Sequence, residues 1–189
     1  MKKNRKERPV RTEYINPVYK DRVKVLETSA STGGLYSLGE LEISPGGGNQ
    51  LHVHKAFTET FTAIKGTLGV RREDESIYLS PGDSMTIPPG TPHHFFNASN
   101  EKIVCHVKFT PGHSGFEKGL AIGYGLAADG LTDKKGRPKK FTHLALVISL
   151  TDTRPSGFLG LLMPIFSWIA KKERKKGTEE MLLEKYYYQ

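Results

Sequence analysis

Cysteine is nearly absent. Cys105 is the single one among 189 residues, which excludes an internal disulfide and a cysteine-rich zinc site. A lone thiol suits a reducing compartment, and the cytoplasm is the expected location. Met1 to Arg11 is crowded with charge, yet no apolar segment follows it, so it is expected to be neither a secretory signal nor a membrane anchor. Long apolar runs are also missing. The most apolar stretch, Phe158 to Ile169, falls short of the ~20 residues that span a bilayer, and Pro164 interrupts it. There is no repeat longer than a hairpin and no helix-turn-helix, which argues against a one-chain transcription factor.

Acidic residues are outnumbered, and the formal charge is +8. The excess is not central. Between Leu51 and Thr110 basic residues such as Lys55, Arg71 and Lys108 are balanced by acids such as Glu59, Glu73 and Asp83. The surplus sits in Lys2 to Arg11, Lys134 to Lys140 and Lys171 to Lys176. These runs lack interleaved aromatics, so they read as solvated tails and loops and no nucleic-acid partner is expected.

What is present is a dense series of short strand patterns. They run from Val23 to Glu27, Leu35 to Ile43, Leu51 to His54, Glu59 to Ile64, Thr67 to Arg71, Ser76 to Leu79, Ser84 to Ile87, His93 to Asn97 and Lys102 to Thr110. Turn formers separate them, as in Ser44-Pro45-Gly46, Lys65-Gly66, Ser80-Pro81-Gly82-Asp83 and Pro88-Pro89-Gly90. That density predicts an all-β sandwich or barrel. A short strand near Tyr14 and Ile15 is expected in the preceding arm.

After Thr110 the period changes. Phe116, Leu120 and Tyr124 recur at helical spacing, with Ser114 as the expected cap and Gly130 as the stop. Phe141 to Leu150 reads as a second helix, and Pro164 is expected to kink or divide the apolar stretch. Thr178 is expected to cap a last helix. The expected organisation is a basic arm over residues 1–21, a β domain over 22–112 and a helical extension over 113–189. Phe158 to Ile169 is expected to pack on the β domain or on a second subunit, making the chain a homodimer. In-plane contact with a membrane surface, with Lys171 to Lys176 at the headgroups, is the less favoured reading.

Two spaced sets carry the chemistry. Gly46, His52, His54, Glu59 and Gly66 read G-x5-H-x-H-x4-E-x6-G, and Gly82, Pro88, Gly90, His93 and Asn97 read G-x5-P-x-G-x2-H-x3-N. On a strand, His52 and His54 share a face and can hold one ion. Glu59 has the wrong parity for one uninterrupted strand, so Lys55 to Thr58 is expected to turn or bulge and place it beside the pair, with His93 arriving from the opposite side. His93, Phe95 and Asn97 share one parity, which leaves His94 outward.

Both sets resemble the two motifs of the cupin superfamily, with no departure at any named position. The resemblance covers about residues 22 to 112 and implies a small antiparallel jelly-roll barrel with a metal inside it. By that resemblance His52, His54, Glu59 and His93 are the four ligands, and the later asparagine falls on Asn97. Three imidazoles and one carboxylate suit Fe, Mn, Ni, Cu or Zn better than Mg or Ca. Four protein ligands on an octahedral ion leave two positions open for substrate, water or O2.

Phe61, Phe95 and Asn97 are the candidates for pocket lining. His106 is expected on a solvated strand face, His113 and His143 at the surface, and Cys105 as a buried thiol beside Ile103, Val107 and Phe109. The sequence therefore points to a metal-dependent enzyme acting on a small organic molecule inside the barrel, with oxygenase, isomerase and hydrolytic chemistry open. No general acid or base is assigned. The alternative is a non-catalytic small-molecule or metal-binding sensor module.

Overall fold

The computed structural model describes residues 8–155 and 158–189; positions 1–7, which hold most of the first basic run, and 156–157 lie outside the described residues. Ten strands precede the first helix among the described residues: β1 (Glu13–Asn16), β2 (Asp21–Glu27), β3 (Ser37–Ile43), β4 (His52–Val53), β5 (Thr58–Lys65), β6 (Leu68–Arg72), β7 (Glu75–Leu79), β8 (Ser84–Ile87), β9 (His93–Phe96) and β10 (Ile103–Thr110). They form two antiparallel sheets, ordered β1-β2-β3-β10-β5-β8 and β11-β4-β9-β6-β7, the latter extended by β11 (Arg154–Pro155) from beyond the second helix.

Alternation builds the core. Ile103, Cys105, Val107 and Phe109 of β10 are all buried, as are Glu59, Phe61 and Ala63 of β5. Ile43 and Phe61 from one sheet meet Leu68 and Val70 from the other in a single apolar cluster. Each such side chain contributes roughly 1.5–3 kcal/mol on burial. Among the described residues no ladder joins the two sheets. The expected barrel is therefore, in its hydrogen bonding, two sheets around a shared core.

The motif glycines have a backbone reason. Gly46, Gly66, Gly82 and Gly90 all take positive φ, between 67° and 95°, where a Cβ is strained. At Gly66 a Cβ would also stand 2.6 Å from the Ile103 side chain.

The extension consists of α1 (Ser114–Ala128), α2 (Phe141–Thr151), α3 (Phe158–Leu161), α4 (Met163–Lys175) and α5 (Thr178–Tyr186). Pro164 divides the apolar stretch, standing in the first turn of α4 where its missing N–H costs nothing. Two expected caps are corrected. His113, not Ser114, caps α1, its Nδ1 accepting the Phe116 N–H at 2.8 Å. Gly177 precedes α5, while the Thr178 hydroxyl donates to Glu173. His143, expected at the surface, is buried on α2.

Helices α1, α2, α4 and α5 share their own core of Ile122, Leu126, Leu146, Ala170 and Leu183. The described end of the N-terminal arm is docked on it rather than solvated. The Arg11 N–H donates to the Tyr187 carbonyl at 2.8 Å, the Gln189 N–H donates to the Pro9 carbonyl at 3.0 Å, and Arg8 pairs with Glu180 and Glu184. The basic run from Lys171 onward is the C-terminal half of α4, not a loop.

Candidate metal centre

Strands β4 and β9 are antiparallel neighbours with His52 directly opposite His93. His54 follows the end of β4 on the same parity. Glu59 comes from the other sheet, between Phe109 of β10 and Ile87 of β8. The expected arrangement is thus reversed: His93 stands beside the histidine pair and Glu59 stands across from it. The reason lies in Lys55 to Phe57, which carries the chain from one sheet to the other instead of bulging within a strand. Asp152, just past α2, secures that crossing. Its Oδ2 accepts the N–H groups of Lys55 at 2.6 Å and Ala56 at 2.7 Å.

The four side chains converge. One ligand atom from each of His52, His54, Glu59 and His93 lies within 4.8 Å of the others. Ring centroids are 4.4 Å apart for His52 and His93 and 4.6 Å apart for His52 and His54. His52 Nδ1 donates to the Gln50 carbonyl at 2.7 Å, and His93 Nδ1 donates to the Thr91 carbonyl at 2.9 Å. Those bonds fix the tautomers and leave Nε2 as the free ligand atom. His93 Nε2 meets Glu59 Oε2 at 2.7 Å. His54 Nδ1 is buried, facing the backbone at Thr151 and Asp152 without closing a hydrogen bond.

Burial and the neighbouring imidazoles push His52 and His54 down to about 3, so both are neutral near pH 7. Burial also opposes charge on His93, but the hydrogen bond it donates to Glu59 and the negative charge there prevail and raise its pKa. The Glu59 carboxylate thus favours the protonated form of His93, in a site whose other imidazoles keep their lone pairs. Neutral nitrogen donors with a single carboxylate fit a first-row divalent ion, and the oxygen-rich preferences of Mg and Ca are not met.

A cavity of about 460 Å³ opens onto this cluster. His52, His54 and Glu59 form part of its wall, with Leu41, Val107 and Phe109 from the sheets, Phe116, Leu120 and Tyr124 from α1, Val147 and Thr151 from α2 and Phe166 from α4. Lys135 and Arg137, from the second basic run, also border it. Phe95 lines the cavity. Phe61 does not. It is fully buried behind the site, its ring centroid 6.2 Å from that of His93 and 6.0 Å from that of Phe95. Asn97 is also buried and spends its amide on a turn: Nδ2 donates to the carbonyls of Ile43 and Glu101, and Oδ1 accepts from Ser99. Its role is structural. His94 lies half-buried beside Phe96 on the other face of β9, and His106 lies 3.6 Å from Glu40.

Three features around the site were not readable in the sequence. The helical wall, Asp152 and the buried pair formed by Tyr124 OH and Asp21 Oδ2, 3.0 Å apart, all depend on how the extension folds back. The apolar spacing of Phe116, Leu120 and Tyr124 signals a covered helix face but not what it covers.

Residues 39–109 match the family model for a cupin domain. A quercetin 2,3-dioxygenase of Bacillus subtilis (strain 168) is 35% identical over 71 residues, 38% of this chain and 21% of that protein. A germin-like protein (subfamily T member 3) of Arabidopsis thaliana is 37% identical over 70 residues, covering 32% of this chain and 31% of that protein. The match therefore spans less than a third of either curated relative. Among solved structures, an RmlC-like cupin from Shewanella frigidimarina NCIMB 400 aligns at 17% identity and a TM-score of 0.47, over 56% of this chain and 89% of that one. The matched segment contains both motifs entire, and folding gathers their histidines and glutamate into one pocket; over residues 39–109 the chain matches the cupin domain family.

Proposed function

We propose that the protein is a metal-dependent enzyme acting on a small, largely apolar organic molecule in this cavity. The two sheets then form the halves of a cupin jelly roll, and His52, His54, Glu59 and His93 hold one divalent ion of Fe, Mn, Ni, Cu or Zn. The observation that carries this reading is the convergence of four ligand atoms within 4.8 Å, with His52, His54 and Glu59 on the wall of an apolar cavity. Such an ion supplies Lewis acidity or oxygen chemistry at the open positions of its coordination sphere.

The chain's own residues prepare for it. His52 and His54 stay neutral and ready to donate, Gln50 and Thr91 hold two rings in place, and His93 would bind through a deprotonated Nε2. Phe95, Phe109 and Phe116 keep water from the substrate side and favour a flat or aliphatic molecule. The Bacillus relative is a dioxygenase by name, which puts oxygen-dependent turnover first among the reactions to test, ahead of isomerase and hydrolytic chemistry.

Metal analysis of protein purified without added metal, followed by aerobic and anaerobic substrate screening, tests the reading. We expect near-stoichiometric first-row metal and a loss of affinity beyond about 100-fold in His52→Ala, since outer-shell changes alone cost 10- to 100-fold. The idea fails if the protein holds no metal and added Fe, Mn, Ni or Zn shifts the melting temperature of neither wild type nor His52→Ala. A sensor module is the second reading. It is favoured by the pairing of β11 with β4, which ties the ligand strand to the helical extension; metal and ligand binding without turnover would select it.

A further inference from the structure

Helix α4 has two opposed faces. Phe166 and Ala170 are fully buried against the neighbouring helices. At 100° per residue, Ile165, Trp168, Lys172 and Lys175 fall on the other side. Ile165 is 49% exposed, Trp168 63%, and Leu161, at the end of α3, 76%. Lys171, Lys172 and Lys175 are exposed as well. Among the described residues none of these three forms an ion pair, whereas Arg174 pairs with Glu179 and Lys176 with Glu173. The Lys172 ammonium lies 5.3 Å from the centre of the Trp168 ring.

Apolar side chains lead this surface, an indole follows, and unpaired ammonium groups close it. That order matches a bilayer interface in cross-section: aliphatic groups in the acyl boundary, tryptophan at headgroup level and lysines reaching the phosphates. Charge selects among occupants. Three lysines without acids attract an anionic surface, while a second copy seated face to face would bring the same lysines together across the two-fold contact. No helix of the described residues is long and apolar enough to cross a membrane, so the contact stops at one interface. Packing, the favoured sequence expectation for this stretch, accounts only for the Phe166 face.

We propose that α3 and α4 form a docking surface for an anionic membrane, with Leu161, Ile165 and Trp168 entering the interface and Lys171, Lys172 and Lys175 meeting lipid phosphates. Phe166, on the opposite side of the same helix, lines the cavity, so the docked surface and the cavity are separated by one helix.

Trp168 is the only tryptophan in the chain and serves as the probe. The full-length protein is mixed with vesicles of phosphatidylcholine alone or of equal parts phosphatidylcholine and phosphatidylglycerol, and followed by co-sedimentation and tryptophan emission. We expect binding and a blue shift with the anionic vesicles only. Each lysine contributes about fivefold, so the triple variant Lys171→Gln, Lys172→Gln, Lys175→Gln binds about a hundredfold more weakly. Leu161→Ser with Ile165→Ser abolishes the blue shift while circular dichroism stays unchanged. The proposal is overturned by equal binding to neutral vesicles or by the absence of any shift. It is also overturned if emission is already blue-shifted without lipid in a sedimenting dimer that Ile165→Ser dissociates, which would identify a second copy as the occupant.

Discussion

Asp21 shows how a single buried group sets a condition on the whole fold. Its Oδ2 accepts from Tyr124, while Oδ1 is buried without a partner. Burial raises its pKa from 3.8 to about 7, outweighing the Tyr124 hydrogen bond. Since the unfolded chain ionises near 3.8, the native state holds the extra proton between the two values. The stabilisation is complete below the unfolded pKa, declines as pH rises through the folded one and is absent above it. It amounts to at most about 4 kcal/mol. Asp21→Asn keeps an acceptor for Tyr124, so its melting temperature should exceed that of wild type above neutrality and converge with it toward acid. Identical pH profiles would show that Asp21 is not the titrating group. Cys105 makes the contrasting case: its alternation with Ile103 and Val107 already marks it as buried, and burial raises its pKa so that it stays a thiol.

At the scale of elements, β4, the strand that carries His52, is only two residues long and cannot hold His52 and His54 by its own ladder. The extension supplies the support. β11 pairs alongside β4, and the carboxylate of Asp152 ties down the N–H groups that follow His54. Asp152→Ala is expected to weaken metal affinity about tenfold, as loss of an outer-shell orienter does, with little change in melting temperature; metal titration beside thermal unfolding separates the two effects. Unaltered affinity would mean that the crossing holds itself. The approach of α1 to α5 makes a second demand. A Cβ on Gly125 would stand 2.2 Å from the Tyr186 ring, so Gly125→Ala should cost roughly 1–3 kcal/mol in denaturant unfolding through overpacking.

At the scale of the molecule, the extension is a structural half rather than an appendage. Its helices α4 and α5 share a core with α1 and α2, and it receives the described end of the N-terminal arm and closes the cavity with Phe166. Deleting residues 155 to 189 strips the cover from Ile122, Leu126 and Leu146. Aggregation is the expected outcome, measured by light scattering and sedimentation. A truncated chain that stays soluble and sediments unchanged would contradict it.

How much was legible follows from the range of the forces involved. Strand positions, the strand-face parity of His93, Phe95 and Asn97, the turn glycines and the division at Pro164 are local matters of alternation and backbone angle, so they can be read along the chain. The two motifs likewise named the residues that converge. Long-range packing alone settles which sheet each residue comes from. His52 and His93 are cross-strand neighbours while Glu59 faces them, because pairing between residues 41 apart depends on packing that no local pattern encodes. The same holds for Asn97, which looked like a wall residue and is a turn clamp, and for Phe61, which backs the site without reaching the cavity. The substrate's surroundings lie furthest from the sequence's reach: helices that begin after residue 113 return to cover a cluster that ends at His93, and only burial of their apolar faces brings them there.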